Sequence, residues 1–260
     1  MAPDEDGLGP GTRAVFFDLG DTLLHITPSI PGHYARVLTG LGVPAPRARL
    51  RGALRVASTF YVAADRAGLA FETSPEEAAR FWDQYNAELL LALGVQRHQA
   101  ELASRLTRAF WDPAAWRPYP DAAPTLGALR RRGIRLGVIS NFTTIIHALC
   151  EAHGLASAFE VILPSAQAGS QKPDVSIFRA ALRAMGLAPE GCWHVGDNYR
   201  TDVLGARAAG IRPVLLLRAG RRPALSSGGG GPAGAGPARP DCPTISGLRA
   251  LVPLVCPADH

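Results

Sequence analysis

The chain has 260 residues, enough to bury a large core, and at 47% hydrophobic and 19% charged its composition is globular and excludes disorder. Its formal net charge of +5 is not gathered into a basic stripe interleaved with aromatics, and arginines scattered over expected helix faces argue against a nucleic-acid partner. No run reaches the ~18 apolar residues of a membrane span, and the acidic, Gly- and Pro-rich start lacks a signal peptide's basic and apolar regions, so no membrane partner and a cytoplasmic location are expected.

Ala14-Val15-Phe16-Phe17 is an apolar, β-like run that stops at Asp18 and gives way to a Gly20-Asp21 turn and Thr22. In an open α/β sheet, ligands bind beyond the carboxyl ends of the strands, so Asp18 stands where a nucleophile or a metal ligand would sit. Residues 26–117 read as helical throughout. Tyr34, Leu38 and Leu41 mark one apolar face, and Leu50, Leu54 and Tyr61 a second. Ser74-Pro75-Glu76-Glu77 has the form of a capping box with Pro at the first helical position. Phe81, Tyr85 and Leu89 follow on one face, and Leu102, Leu106 and Phe110 repeat the spacing. No strand-like alternation interrupts this region, which reads as a helical bundle inserted after the first strand.

From Pro118 strands alternate with helices, the pattern of βα units and a parallel sheet. The expected strands are Ile134–Ile139, Phe159–Leu163, Cys192–Gly196 and Pro213–Leu217. Helices are expected over Ala123–Arg132, Thr144–His153, Val175–Met185 and Asp202–Ala209, with a closing helix over Ile245–Leu254. Residues 219–240 are Gly, Pro, Ser and Arg with almost nothing to bury, a flexible loop by composition. The formal G-x-G-x-x-G there (Gly229, Gly231, Gly234) is followed by Pro-rich sequence instead of a helix, so it is no dinucleotide site. Cys150, Cys192, Cys242 and Cys256 lie far apart without a C-x-x-C pair, and His147, Cys150 and His153 read as an ordinary helix face. The expected architecture is therefore a Rossmann-like, doubly wound α/β core over 12–25 and 118–260, interrupted by a helical bundle over 26–117.

Polar groups follow the strand ends in the order Asp18, Ser140 with Asn141, Lys172, and Asp197 with Asp202. Phosphoryl transfer through a covalent intermediate asks for these parts: a carboxylate nucleophile, carboxylates for a divalent cation, donors for phosphoryl oxygens and a fixed cation. Lys172 is the chain's only lysine among 27 basic residues, the other 26 being arginine. A compact ammonium retained in so Arg-rich a chain suggests a position that a planar guanidinium does not fit.

These motifs resemble those of the haloacid dehalogenase-like superfamily, most of whose members are Mg²⁺-dependent phosphatases. D-x-D-x-T is matched in part by Asp18-Leu19-Gly20-Asp21-Thr22, and the Ser or Thr after a hydrophobic strand by Val138-Ile139-Ser140-Asn141. The Lys-Pro motif is matched by Lys172-Pro173-Asp174, and G-D-x-x-x-x-D by Gly196-Asp197 through Asp202. The resemblance implies that Asp18 attacks phosphorus and forms an aspartyl-phosphate. It implies that Mg²⁺ is held by Asp18, the Gly20 carbonyl and Asp197, with Asp202 orienting the metal site. Ser140 and the Asn141 backbone would hold a phosphoryl oxygen, and Lys172 would reach both the phosphoryl group and Asp18. The helical insert resembles the family's C1 cap, a lid over the active site. A small phosphorylated substrate would be chosen by insert residues near His25 and Tyr34.

One departure matters. The family's phosphatases place a second Asp two residues after the nucleophile as general acid and base, and here that position is Gly20. Asp21 is the candidate substitute, although neighbouring side chains diverge in an extended segment. Three readings stay open at this stage: a Mg²⁺ phosphatase, a weakened or inactive member that binds a phosphorylated ligand or partner, and a metal-independent dehalogenase. A phosphonate-cleaving member would need a lysine in the insert, and the insert has none.

Overall fold

The computed structural model describes residues 11–218 and 241–256, so the Gly/Pro-rich loop over 219–240 and its glycine triplet lie outside the described residues. The core is a parallel sheet of six strands: β1 (Ala14–Phe17), β4 (Arg135–Ser140), β5 (Val161–Pro164), β6 (Cys192–Gly196), β7 (Arg212–Leu216) and β8 (Thr244–Ile245). Their spatial order is β5-β4-β1-β6-β7-β8. The chain leaves β1 toward β4 on one side and returns to β6 on the other, so β1 lies at the topological switch point.

The composition of β1 follows from burial on both faces, which makes a parallel strand read as a continuous apolar run. Val15 and Phe17 enter one core with Leu136, Val138 and Val195, beneath α5 (Ala122–Arg130) and α6 (Ile146–Ala152). Ala14 and Phe16 enter the opposite core with Ile139, under α8 (Val175–Ala184) and α9 (Gly205–Ala208). Gly137 in β4 is required by this packing, since a Cβ there would stand 2.7 Å from the Phe16 ring and 2.8 Å from Val161.

The insert is four helices, α1 (Ile30–Gly40), α2 (Arg47–Arg66), α3 (Pro75–Ala92) and α4 (Gln99–Trp111), around a core of their own that includes Leu38, Leu50, Tyr61, Leu89 and Leu106. Ser74 caps α3 by accepting from the Glu77 amide at 3.1 Å. Only half of the expected capping box forms, because the Glu77 carboxylate accepts from the Thr73 hydroxyl.

The expectation of helix throughout 26–117 is corrected at both ends. Leu24–Ile26 (β2) pairs antiparallel with Trp116–Pro118 (β3), forming a ribbon where the insert joins the core. Strands of three residues are too short to display alternation. The expected closing helix also begins too early: Ile245 belongs to β8 beside β7, and α10 spans only Leu251–Val255. Among the described residues no helix is long and apolar enough to cross a membrane.

Candidate active site

β1 ends one residue before Asp18, whose amide donates to the Val195 carbonyl of β6 at 2.9 Å and so carries the ladder to the mouth of the sheet. Ser140, the last residue of β4, donates from Oγ to Asp18 Oδ1 at 2.9 Å. Lys172 Nζ donates to the same oxygen at 2.7 Å and to Asp202 Oδ1 at 2.6 Å. One ammonium therefore joins groups 154 and 30 residues from it in sequence. The lysine is only 2% exposed. Its backbone is fixed by Asn141, whose Nδ2 donates to the Lys172 carbonyl at 3.0 Å while its Oδ1 accepts from the Lys172 amide at 2.7 Å.

Asp202 lies on a π-helical turn, Tyr199–Leu204, that Asn198 caps by accepting from the amides of Arg200 and Thr201. Its Oδ2 accepts from the Asn198 amide at 3.0 Å, and its Oδ1 is shared between Lys172 and His194 Nε2, the latter at 3.0 Å. Gly196 is the space that this carboxylate occupies, for a Cβ there would overlap it.

The charges are unequal in their settings. Burial alone would raise the Asp202 carboxyl, but Lys172 and His194 outweigh it and hold the group well below the ordinary range. Burial likewise opposes the Lys172 charge, yet Asp18 and Asp202 beside it raise the amine further. At Asp18 burial wins over the lysine, helped by the Asp202 charge, and the carboxyl is pushed up. Asp197 is pushed up by burial and then by Asp18 and Asp202, and among the described residues it has no ion-pair partner. His194 is driven toward its neutral form by burial. Three carboxylates thus face one lysine, a formal surplus of two negative charges. Hard oxygen donors with that surplus fit a divalent cation. Asp202 has both oxygens engaged by protein donors, so Asp18 and Asp197 are the side chains placed to offer oxygens to an ion. Among the described residues, no trio of His, Cys, Asp and Glu side chains is gathered around one metal position. His147 and His153 face a glutamine side chain and a backbone carbonyl.

A profile described as haloacid dehalogenase-like hydrolase matches residues 12–210. The chain belongs to the haloacid dehalogenase-like hydrolases. It is 33% identical over 208 residues to the human haloacid dehalogenase-like hydrolase domain-containing protein 3, covering 79% of this chain and 82% of that one. It is 34% identical over 226 residues to a phosphoserine phosphatase of Thermus thermophilus, covering 82% and 84%. Among solved structures it is similar to the HAD-hydrolase YfnB of Bacillus subtilis bound to magnesium, with a TM-score of 0.72 over 95% of this chain and 99% of that one. At 17% identity, that likeness speaks for the fold.

In this haloacid dehalogenase-like hydrolase the helical insert lies over the mouth of the sheet and leaves a cavity of about 60 Å³, room for a few waters. Gly20 and Asp21 line it from the core side, and Tyr34, Trp82 and Phe110 from the insert. Asp21 takes a left-handed turn with φ 54°, its amide donating to the Leu24 carbonyl at 2.7 Å and its Oδ1 accepting from the Tyr119 hydroxyl at 3.5 Å. Tyr34 lines the cavity, with its hydroxyl donating to Asn86 Oδ1 at 2.7 Å. His25 packs against Tyr119 at a tilt, with ring centroids 4.5 Å apart and planes at 37°.

Three residues of this region escape sequence reasoning. His194 sits inside an apolar strand, where a lone polar residue was its only signal. Gln171, beside Lys172, accepts at Oε1 from the amides of Phe71 and Glu72 at 2.9 and 3.0 Å, tying the insert to the core. Glu72 itself is 1% exposed inside the insert's α2–α3 loop, and nothing in Phe-Glu-Thr-Ser announces a buried acid.

Proposed function

We propose that the protein is a Mg²⁺-dependent phosphomonoesterase that acts on a small phosphorylated metabolite through an aspartyl-phosphate. The observation that carries this reading is the clasp of Lys172 across Asp18 and Asp202 at the switch point, within a cluster that is short of two positive charges. The phosphatase named among the relatives supports the same chemistry. Asp18 is the nucleophile, since among the described residues both of its side-chain hydrogen bonds go to Oδ1 and leave the other oxygen for attack. Ser140 and the Asn141 backbone orient the phosphoryl group, and Lys172 offsets the charge that gathers on its oxygens. Asp18, the Gly20 carbonyl and Asp197 would hold Mg²⁺, while Asp202 positions Lys172 and the loop from Asn198. When bound, the cation draws charge from the phosphoryl oxygens. The helical insert is the lid that keeps bulk water from the reacting group.

Phosphate release from a panel of monoesters is the test. Activity is expected to vanish with chelator and return with Mg²⁺. A dehalogenase would ignore the chelator and release halide from 2-haloacids, and that result would replace the reading. Gly20 supports a second reading, a weakened enzyme or a ligand-binding protein, because general acid catalysis is worth about 10²–10⁴-fold. That reading is favoured if calorimetry detects Mg²⁺-dependent phosphate binding while no ester is turned over.

A further inference from the structure

The insert brings a buried acid to the cavity that Gly20 and Asp21 line from the core. We propose that Glu72 donates the proton that the leaving oxygen requires, in place of the acid missing at Gly20. This inference rests on the phosphatase reading and adds to it a preferred substrate class, phosphate esters of alkyl alcohols.

The geometry is the first support. Glu72 lines the same cavity as Gly20 and Asp21 but enters from the opposite side, from the insert. In an in-line displacement the nucleophile and the leaving group lie on opposite sides of phosphorus. With Asp18 rooted in the sheet, the leaving oxygen points toward the insert. Glu72 Oε1 accepts from the Trp82 indole at 3.0 Å, whereas its buried Oε2 has no hydrogen-bond partner among the described residues. An unpaired buried carboxyl oxygen is costly unless a ligand meets it. The backbone of Glu72 is pinned by Gln171, the neighbour of Lys172, so its position relative to the catalytic lysine is fixed.

Protonation is the second support. Burial pushes the Glu72 carboxyl up to about 8, against a smaller opposing contribution from the Trp82 bond, so the acid form prevails at neutral pH. The other groups that act on it are Lys172 and Asp18 from the core, with Tyr61 facing it from α2. Asp21, the substitute suggested by the sequence, already accepts the Tyr119 hydroxyl.

The proton inventory closes over two steps. As an Asp18 oxygen bonds to phosphorus, the bond from phosphorus to the ester oxygen breaks, and that oxygen takes its electron pair and the Glu72 proton, leaving as the alcohol. The Glu72 carboxylate then accepts a proton from the water that attacks the aspartyl-phosphate, which restores both the acid and the free Asp18 carboxylate.

The experiment compares the full-length wild type and Glu72→Gln, with Mg²⁺, on n-propyl phosphate and p-nitrophenyl phosphate. Glutamine keeps an acceptor for Trp82, and thermal unfolding checks the fold. The expected loss in kcat/KM is about 10²–10⁴-fold on the alkyl ester and less than about tenfold on the aryl ester, whose leaving group needs little protonation. Wild-type turnover of the alkyl ester is expected to fall above about pH 8, and the variant to lack that limb. Equal losses on both esters, or a wild-type profile flat through pH 8, would overturn the assignment of Glu72 alone. If wild type and Asp18→Asn release phosphate at the same rate from both esters, the phosphatase reading falls and this inference with it.

Discussion

Asp18→Asn is expected to lower phosphate release by on the order of 10⁶-fold, the scale seen when a covalent nucleophile is removed from a hydrolase. An amide neither attacks phosphorus nor offers a charged oxygen to a cation. The fold should survive, and the sign follows from the direction of the carboxyl's displacement. Burial raises Asp18, and Lys172 only partly opposes that. A carboxyl raised on folding contributes stability below its unfolded value, and that contribution is lost as pH rises through the folded value. At neutral pH the charged Asp18 is therefore a burden on the fold. The melting temperature of Asp18→Asn should equal or exceed that of the wild type near pH 7. A variant with wild-type turnover would move the chemistry elsewhere, and one that is folded only at low temperature would show that the bond to Lys172 outweighs the cost of burial.

Lys172→Met should have the opposite effect on stability. Removing one member of a buried ion pair leaves its partners uncompensated, at a cost of about 3–5 kcal/mol. Here two paired carboxylates would be stranded, with Asp197 nearby. Turnover should fall by at least about 10²–10³-fold, the loss typical of a single missing electrostatic donor in a water-excluded site. The pH dependence is distinctive. The lysine's raised value gives stability that is complete below its ordinary value of 10.5. The lowered value of Asp202 gives stability that is present above its ordinary 3.8 and lost as acid protonates the folded group. The gap in unfolding free energy between wild type and variant should thus be widest between those limits and shrink on acidification. A gap that does not change from pH 7 to pH 3 would show that the cost is packing and not charge.

The sheet and its motifs were legible because each central strand is a run of apolar residues closed by a polar one. Phe17 before Asp18 and Ile139 before Ser140 mark where apolar packing gives way to buried polar groups at the mouth of the sheet. The β2–β3 ribbon was not legible, because its three-residue strands pair across the whole insert. Asp202 was expected to orient the metal site, but its engagement by His194 and the Asn198 amide depends on a π-helical turn that no periodicity encodes. Glu72 was hidden for a related reason. Its neighbours read as the polar lead-in to α3, and what buries it includes Gln171, 99 residues away. Local pattern reports the faces of elements, whereas the charge state of a side chain is decided by whatever the fold brings against it.

Lys172 also gives this protein a built-in chemical clock. It carries the chain's only ε-amine, and that amine is enclosed between two carboxylates and held as ammonium. Acylating reagents ignore guanidinium groups, so among side-chain amines they find a single target, and only while the clasp is open. When reclosing outpaces labelling, the rate of modification reports the equilibrium fraction of molecules in which the site has come apart. A mass shift on the Lys172 peptide then measures the opening free energy of the Asp18–Lys172–Asp202 cluster, separately from global unfolding. Any ion or phosphorylated compound that prefers the closed arrangement would slow the clock by its own binding energy. Candidate ligands could be ranked this way before a turnover assay for them exists.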